Sequence, residues 1–197
     1  GGKPFDWGKA SADYAKYRDI YPEMFYRQIL DAGLCVQGQT VLDLGTGTGV
    51  LPRNLYRYGA QFVGIDLSPE QIEQARRLAK QAGMQIDFFA CPAESVDFPD
   101  HTFDVVTACQ CFFYFDAKKL LPNLRRMLRP GGRLAILYMA WLPGEDPIAR
   151  ASEQLVLRYN PSWSGGGETR HPIELPPETE MYFTVEQEYL FDLKIPF

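Results

Sequence analysis

The stretch Val41-Leu-Asp-Leu-Gly-Thr-Gly-Thr-Gly-Val50 decides the fold of this chain. It has the form of a short buried strand that breaks into a glycine-rich turn and opens a helix. Glycines at alternate positions (Gly45, Gly47 and Gly49, with Thr46 in the first gap) let the backbone turn sharply and approach a ligand with no Cβ in the way. The amides at the helix start, at the positive end of its dipole, then face whatever lies in the crevice. Downstream, Gly64-Ile-Asp-Leu67 has the form of a second strand ending in an acid. Asp66 is placed there to accept hydrogen bonds from both hydroxyls of a ribose. Together these features predict an adenosine-containing cofactor.

The glycine spacing narrows the choice. The dinucleotide fingerprint is Gly-x-Gly-x-x-Gly, whose third glycine admits close helix–strand packing beside a pyrophosphate. Here that position is Val50, and the glycine falls one residue early at Gly49. Asp43 also lies inside the first strand, where a carboxylate repels a pyrophosphate but pairs, directly or through water, with an ammonium group. A structural role for Asp43, bonding the turn's own amides, stays open. Adenosine at one end and a cationic amino acid at the other describe S-adenosyl-L-methionine.

Five motifs follow in order: Asp43-Leu-Gly-Thr-Gly-Thr-Gly49, Gly64-Ile-Asp-Leu-Ser68, Cys91-Pro-Ala-Glu94, Phe103-Asp-Val-Val106 and Leu128-Arg-Pro-Gly-Gly132. In this order and spacing the chain resembles the class I S-adenosylmethionine-dependent methyltransferases over roughly residues 38 to 140. Within them it is most similar to the small-molecule, methyltransferase type 11 branch that includes quinone-biosynthesis enzymes. The resemblance implies an α/β fold: a doubly wound, Rossmann-like, mostly parallel sheet with helices on both faces and an antiparallel hairpin at its end. It implies methyl transfer from S-adenosylmethionine to a small-molecule acceptor. A non-catalytic S-adenosylmethionine-binding module and an NAD(P)-dependent oxidoreductase are the alternatives.

Periodicity and breakers agree with alternating strands and helices. Pro22 opens a helix running to Gly33, Thr40 to Leu44 is a strand, and a helix covers about Val50 to Tyr58. Gln61 to Leu67 is the second strand. Ser68-Pro-Glu-Gln71 has the pattern of a capping box, with Gln71 reaching back, and Ile72, Ala75, Leu78, Ala79 and Ala82 form one apolar stripe. Strands follow at Gln85–Ala90, Phe103–Ala108 and Arg133–Met139, with a helix from about Lys118 to Leu128 and another over Ile148 to Tyr159. The division expected is 1–37 for a lid and first helix, 38–141 for the cofactor-binding core, and 142–197 for a substrate-side helix, a loop and a final strand.

The resemblance carries over residue by residue. Asp43, Gly45, Thr46, Gly47, Gly49, Asp66 and Leu67 belong to the cofactor site, with Ala93 and Glu94 in the adenine-contacting turn and Cys109 and Gln110 beside the methionine portion. Many relatives carry an acid where this chain has Pro92, so adenine recognition must differ in detail; Glu94 is either a direct ligand or a helix-cap acid. Ala108-Cys-Gln-Cys-Phe-Phe-Tyr114 replaces the Asn-Pro-Pro-Tyr of relatives that methylate amide or amino nitrogens. The aromatic run Phe112–Phe115 stands at the mouth of the site, as core packing or as substrate lining. In the N-terminal stretch Tyr14, Tyr17 and Arg18 resemble a lid segment, Arg18 being able to pair with the cofactor carboxylate. Trp7 is a lid anchor or a surface aromatic. His171 lies in a Gly- and Pro-rich loop as a solvated side chain or a base, and no residue stands out as the general base.

Composition sets limits. With 197 residues and 46% hydrophobic content the chain suits one core, and no apolar run approaches the ~20 residues that span a bilayer. The net charge of −5 argues against broad nucleic-acid binding. Cys35, Cys91, Cys109 and Cys111 lack metal-ligand spacing and suit reduced thiols in a cytoplasmic protein, a monomer or weak homodimer. The start, Gly1-Gly-Lys, looks like a processed tag remnant. Alternation from Phe183 to Phe197 predicts a long half-buried strand whose usual partner is missing, either because the chain is shortened or because something else replaces that last strand.

Overall fold

Thr40–Leu44 (β1) is central because its residues are apolar on both faces and can be covered only from both. The computed structural model describes residues 21–163, 173–188 and 190–194. β1 pairs in parallel with Gln61–Asp66 (β2) on one side and Phe103–Cys109 (β4) on the other. Asp87–Ala90 (β3) adds beyond β2 and Leu128–Leu137 (β5) beyond β4, so the order is β3-β2-β1-β4-β5, all parallel. Winding reverses between β1 and β4, and the crevice beyond their carboxyl ends is where such sheets bind ligands.

The helices are set by local signals. Glu23–Asp31 (α1) starts after Pro22 and buries Phe25, Tyr26 and Ile29, with Tyr21 stacked on Phe25 at 4.6 Å. Val50–Leu55 (α2) tightens into a 3₁₀ turn over Tyr56–Tyr58 and stops at Gly59, whose φ of 87° suits glycine. Pro69–Gln81 (α3) is capped by Ser68, whose hydroxyl accepts from the Gln71 amide at 3.3 Å. The return arm of the capping box differs from expectation. The Ser68 amide donates to Asp66 at 2.9 Å, while the Gln71 side chain is buried with Oε1 unpartnered among the described residues. Of the expected stripe Ile72, Ala75 and Ala79 are buried; Ala82 is exposed because the helix has already ended there.

One face of the sheet (Val41, Phe62, Val105) packs with Phe25, Ile29, Leu51 and Leu55 in one apolar cluster. The alternate residues Leu42, Leu44, Ile65 and Val106 are equally buried, as are Leu120, Leu121, Leu124 and Met127 of Ala117–Met127 (α4). Full burial of each such side chain contributes roughly 1.5–3 kcal/mol.

Several boundaries depart from the sequence. β3 begins at Asp87 rather than Gln85. β5 begins at Leu128, which pairs with Phe103; the register then slips so that Val105 meets Arg133, and Arg129-Pro130-Gly131-Gly132 is accommodated within the strand instead of before it. The expected C-terminal strand does not form: 183–188 and 190–194 are irregular, with Val185 59% exposed. Alternation makes a strand only where a neighbour supplies the hydrogen-bond ladder, and among the described residues no strand pairs with this segment. It is held instead by Leu193 on the apolar cluster and by Glu186 to Arg133 at 3.0 Å.

The chain divides into two compact units, one running to Leu137 with Pro176–Glu186 and the residues from Phe191, the other Tyr138–Leu175 with Gln187–Leu190. The second contains Pro147–Tyr159 (α5), capped by Asp146, whose Oδ1 accepts from the Ile148 and Ala149 amides. Among the described residues no helix is long and apolar enough to cross a membrane.

Glycine 64 has a packing reason that the motif does not reveal. The Phe88 ring crosses β2 over it, and a Cβ at Gly64 would stand 2.7 Å from Phe88 Cδ1 and 2.9 Å from Thr46 Oγ1. Gly64→Ala is therefore expected to destabilise the chain by about 1–3 kcal/mol in denaturant unfolding. Adding Phe88→Leu should recover part of that loss; no recovery would place the clash elsewhere.

Candidate functional site

The turn after β1 is held by backbone geometry. Gly45, Gly47 and Gly49 have φ of 58°, 56° and 74°, left-handed values that other residues adopt only with strain. The Thr46 amide donates to the Ile65 carbonyl at 2.8 Å, tying the turn to the end of β2. Gly45 and Gly49 also make room for neighbours. A Cβ at Gly45 would lie 2.8 Å from Cys111 Sγ, and one at Gly49 2.8 Å from Phe88 Cζ.

Asp66 closes β2 beside this turn and is half-buried. Its Oδ2 accepts from the Gly47 amide at 2.8 Å and its Oδ1 from the Ser68 amide at 2.9 Å. A carboxylate has about four acceptor sites, so two remain for a ligand's hydroxyls. Leu67 follows, 72% exposed at the same strand end.

Asp43 is different in kind. It is 2% exposed, opposite Gly64 on one side and Thr107 on the other. Thr107 Oγ1 donates to its Oδ1 at 2.6 Å. Burial pushes its pKa up to about 6; the Thr107 hydroxyl opposes the rise, and the nearby Asp66 charge adds to it. It accepts from a side-chain hydroxyl in β4, not from the turn's own amides as the structural alternative would have it.

The other expected residues sort themselves by what they touch. Ala93 is buried in a 3₁₀ turn over Ala93–Ser95 that follows Pro92. Glu94 Oε1 accepts the amide of Asp116, the residue at the N-cap position of α4, at 2.8 Å. Cys109 ends β4 and its thiol donates to Tyr21 at 3.5 Å. Gln110 takes a left-handed φ of 64° and its amide donates to the Leu137 carbonyl at 2.9 Å. That bend folds Cys111 back so that its thiol meets the Leu44 carbonyl at 3.1 Å. Of the aromatic run, Phe112 is buried while Phe113 and Tyr114 are 49% and 78% exposed. Tyr14, Tyr17, Arg18, Trp7 and His171 lie outside the described residues.

Three residues of this region escape the motifs: Thr107, Cys111 and Phe88. Thr107 carries a signal, a hydroxyl amid Val105, Val106 and Ala108 in a buried strand, because a buried polar group needs a partner. Cys111 and Phe88 carry none, since their role is to fill space above glycines distant in sequence.

Residues 42–136 match the methyltransferase domain family. Demethylmenaquinone methyltransferase of Thermus thermophilus is 40% identical over 114 residues, 56% of this chain and 52% of the relative. Ubiquinone biosynthesis O-methyltransferase of Cereibacter sphaeroides is 32% identical over 133 residues, 67% of this chain and 54% of the relative. The chain thus spans about half the length of these relatives. A SAM-dependent methyltransferase from Aquifex aeolicus shares the fold, with a TM-score of 0.58 at 23% identity over 79% of this chain and 87% of that one. Residues 42–136 thus match a methyltransferase domain, and over this stretch the chain is similar to S-adenosylmethionine-dependent methyltransferases, among them enzymes of quinone biosynthesis.

Proposed function

We propose that this chain binds S-adenosylmethionine at the carboxyl ends of its central strands and methylates a small-molecule acceptor of the quinone-precursor kind. The observation that carries the proposal is a pair of acids in opposite environments at one glycine turn, half-buried Asp66 and fully buried Asp43. The residues fit the group. Asp66 has acceptor capacity left for ribose hydroxyls, Asp43 suits a cation, and the left-handed glycines bring bare backbone close. A pyrophosphate cofactor would bring negative charge against Asp43, which disfavours the oxidoreductase alternative.

S-adenosylmethionine supplies an already activated methyl group, so the chain's own task is to bind, orient and exclude water. Exposed Leu67 and buried Ala93 bracket the adenine. With Glu94 held by the Asp116 amide, backbone groups around Ala93 are left to recognise the adenine edge. Cys109 and Gln110 pass beside the methionine portion. Phe113 and Tyr114 offer exposed rings to a flat acceptor. The acceptor class follows from the demethylmenaquinone and ubiquinone enzymes named above.

Calorimetric titration with S-adenosylhomocysteine tests the cofactor. Micromolar binding is expected, with none of NADH and a loss of at least tenfold in Asp66→Ala. Binding of NADH alone would overturn the assignment, and binding without methyl transfer to any quinol would favour the non-catalytic module.

Asp43 adds a pH dependence with a definite sign. Its folded pKa of about 6 lies above the ordinary carboxylate value, so ionising it above pH 6 costs the free chain about 2–3 kcal/mol that is absent below pH 4. A bound ammonium group relieves that cost. Stabilisation by S-adenosylhomocysteine, measured as a rise in Tm, should therefore grow from pH 5 to pH 7, and Asp43→Asn should flatten the profile. An unchanged slope in the variant would remove Asp43 from the ligand's cationic end.

A further inference from the structure

We propose that Thr107 is a positioning residue for the cofactor's cationic end, its hydroxyl holding the Asp43 carboxylate in the orientation that receives the ligand's ammonium group. This rests on the S-adenosylmethionine proposal above. Thr107 and Asp43 are direct partners in the parallel register of β1 and β4, so their side chains leave the sheet on the same face. Both are almost fully buried, at 0% and 2% exposure. A valine would fill the Thr107 site with the same shape, and a hydroxyl in that place is favourable only when it bonds. It does bond: 2.6 Å between Thr107 Oγ1 and Asp43 Oδ1 lies in the range of a charge-assisted O–H···O⁻ contact.

The direction of the bond matters. An ionised carboxylate only accepts, so the hydroxyl donates and favours the charged form of Asp43. The titratable groups that interact with Asp43 are Asp66 from β2, Cys35 from the segment after α1 and Cys111 from the segment after β4. None of these favours its charge, since each is an acid or a thiol. The Thr107 hydroxyl, through its bond to Oδ1, is the group that opposes burial. With Oδ1 committed to Thr107, the direction of the other carboxylate oxygen is set as well, before any ligand arrives. Positioning of this kind costs no reorganisation on binding.

The experiment uses the whole chain with Thr107→Val, Thr107→Ser and Asp43→Asn, and S-adenosylhomocysteine as the probe. Affinity is measured by calorimetry from pH 5 to pH 8, and Asp43 ionisation by carboxyl-carbon NMR in the free chain. In Thr107→Val we expect affinity at pH 7 to fall about tenfold. The Asp43 midpoint should rise by about one unit from its position near 6. Thr107→Ser should restore both, and in the Asp43→Asn background Thr107→Val should change affinity less than twofold. A folded Thr107→Val chain with unchanged affinity and midpoint overturns the proposal while leaving the cofactor assignment standing. An equal loss of affinity in the Asp43→Asn background overturns it too, because the hydroxyl then acts without the carboxylate. Failure of the unaltered chain to bind the probe at all overturns the cofactor assignment and this proposal together.

Discussion

One carboxylate organises the ligand-facing end of the sheet. Asp66 accepts the Gly47 amide with one oxygen and the Ser68 amide with the other, so the turn after β1 and the start of α3 share a single anchor. Backbone amides at such a place must find a partner, and there is no strand beyond the sheet end to supply one. The Thr46 amide, donating to the Ile65 carbonyl, reinforces it by tying the same turn to the end of β2. A group that can still bind two ligand hydroxyls therefore also builds the pocket. Any loss of binding on replacing Asp66 contains both effects, and the stability of the variant separates them.

Beneath this anchor the sheet departs from an apolar core. Between Val41 and the crevice, one face carries Asp43 beside Thr107, with Gly64 opposite. An isolated buried carboxylate is expensive, and here burial and the Asp66 charge both raise its pKa. Glycine at 64 further removes a side chain from the interior of β2, and Phe88 reaches across to fill the space. Neither arrangement is what stability alone would select. Both are explicable if the centre of the sheet serves a charged ligand, a trade between function and stability of the kind seen where local rules are broken.

Most of this architecture is legible in the amino-acid sequence because it rests on local rules. Proline before α1, glycine after the 3₁₀ turn at Tyr58, serine before α3 and left-handed glycines after β1 each act within a few residues. What was not legible depends on partners far along the chain. Leu128 joins β5 early because Phe103 is there to pair with it. Residues 183–188 and 190–194 carry the alternation of a strand, but among the described residues no strand pairs with them. Gln71 does not return to Ser68 because Asp66 already takes that amide. The role of Glu94 was undecidable from spacing, since its partner, the Asp116 amide, is set by the tertiary fold.

The bond from Glu94 to Asp116 also joins the two halves of the site's chemistry. Glu94 stands in the 3₁₀ turn after β3, while Asp116 directly follows the aromatic run at the N-cap position of α4. Phe112 is fixed in the core, and Phe113 and Phe115 meet it edge-on at 6.0 and 6.4 Å. The exposed rings of Phe113 and Tyr114 thus sit between two fixed points, Phe112 behind them and the Glu94-anchored amide after them. Cofactor recognition depends on backbone conformations that few residue types permit, which is why a motif can carry it. In the proposed function, acceptor recognition falls to exposed rings such as Tyr114, which satisfy no local backbone rule and can be exchanged without disturbing the anchors on either side. Members of one cofactor family can therefore diverge in acceptor while their glycine turns stay alike.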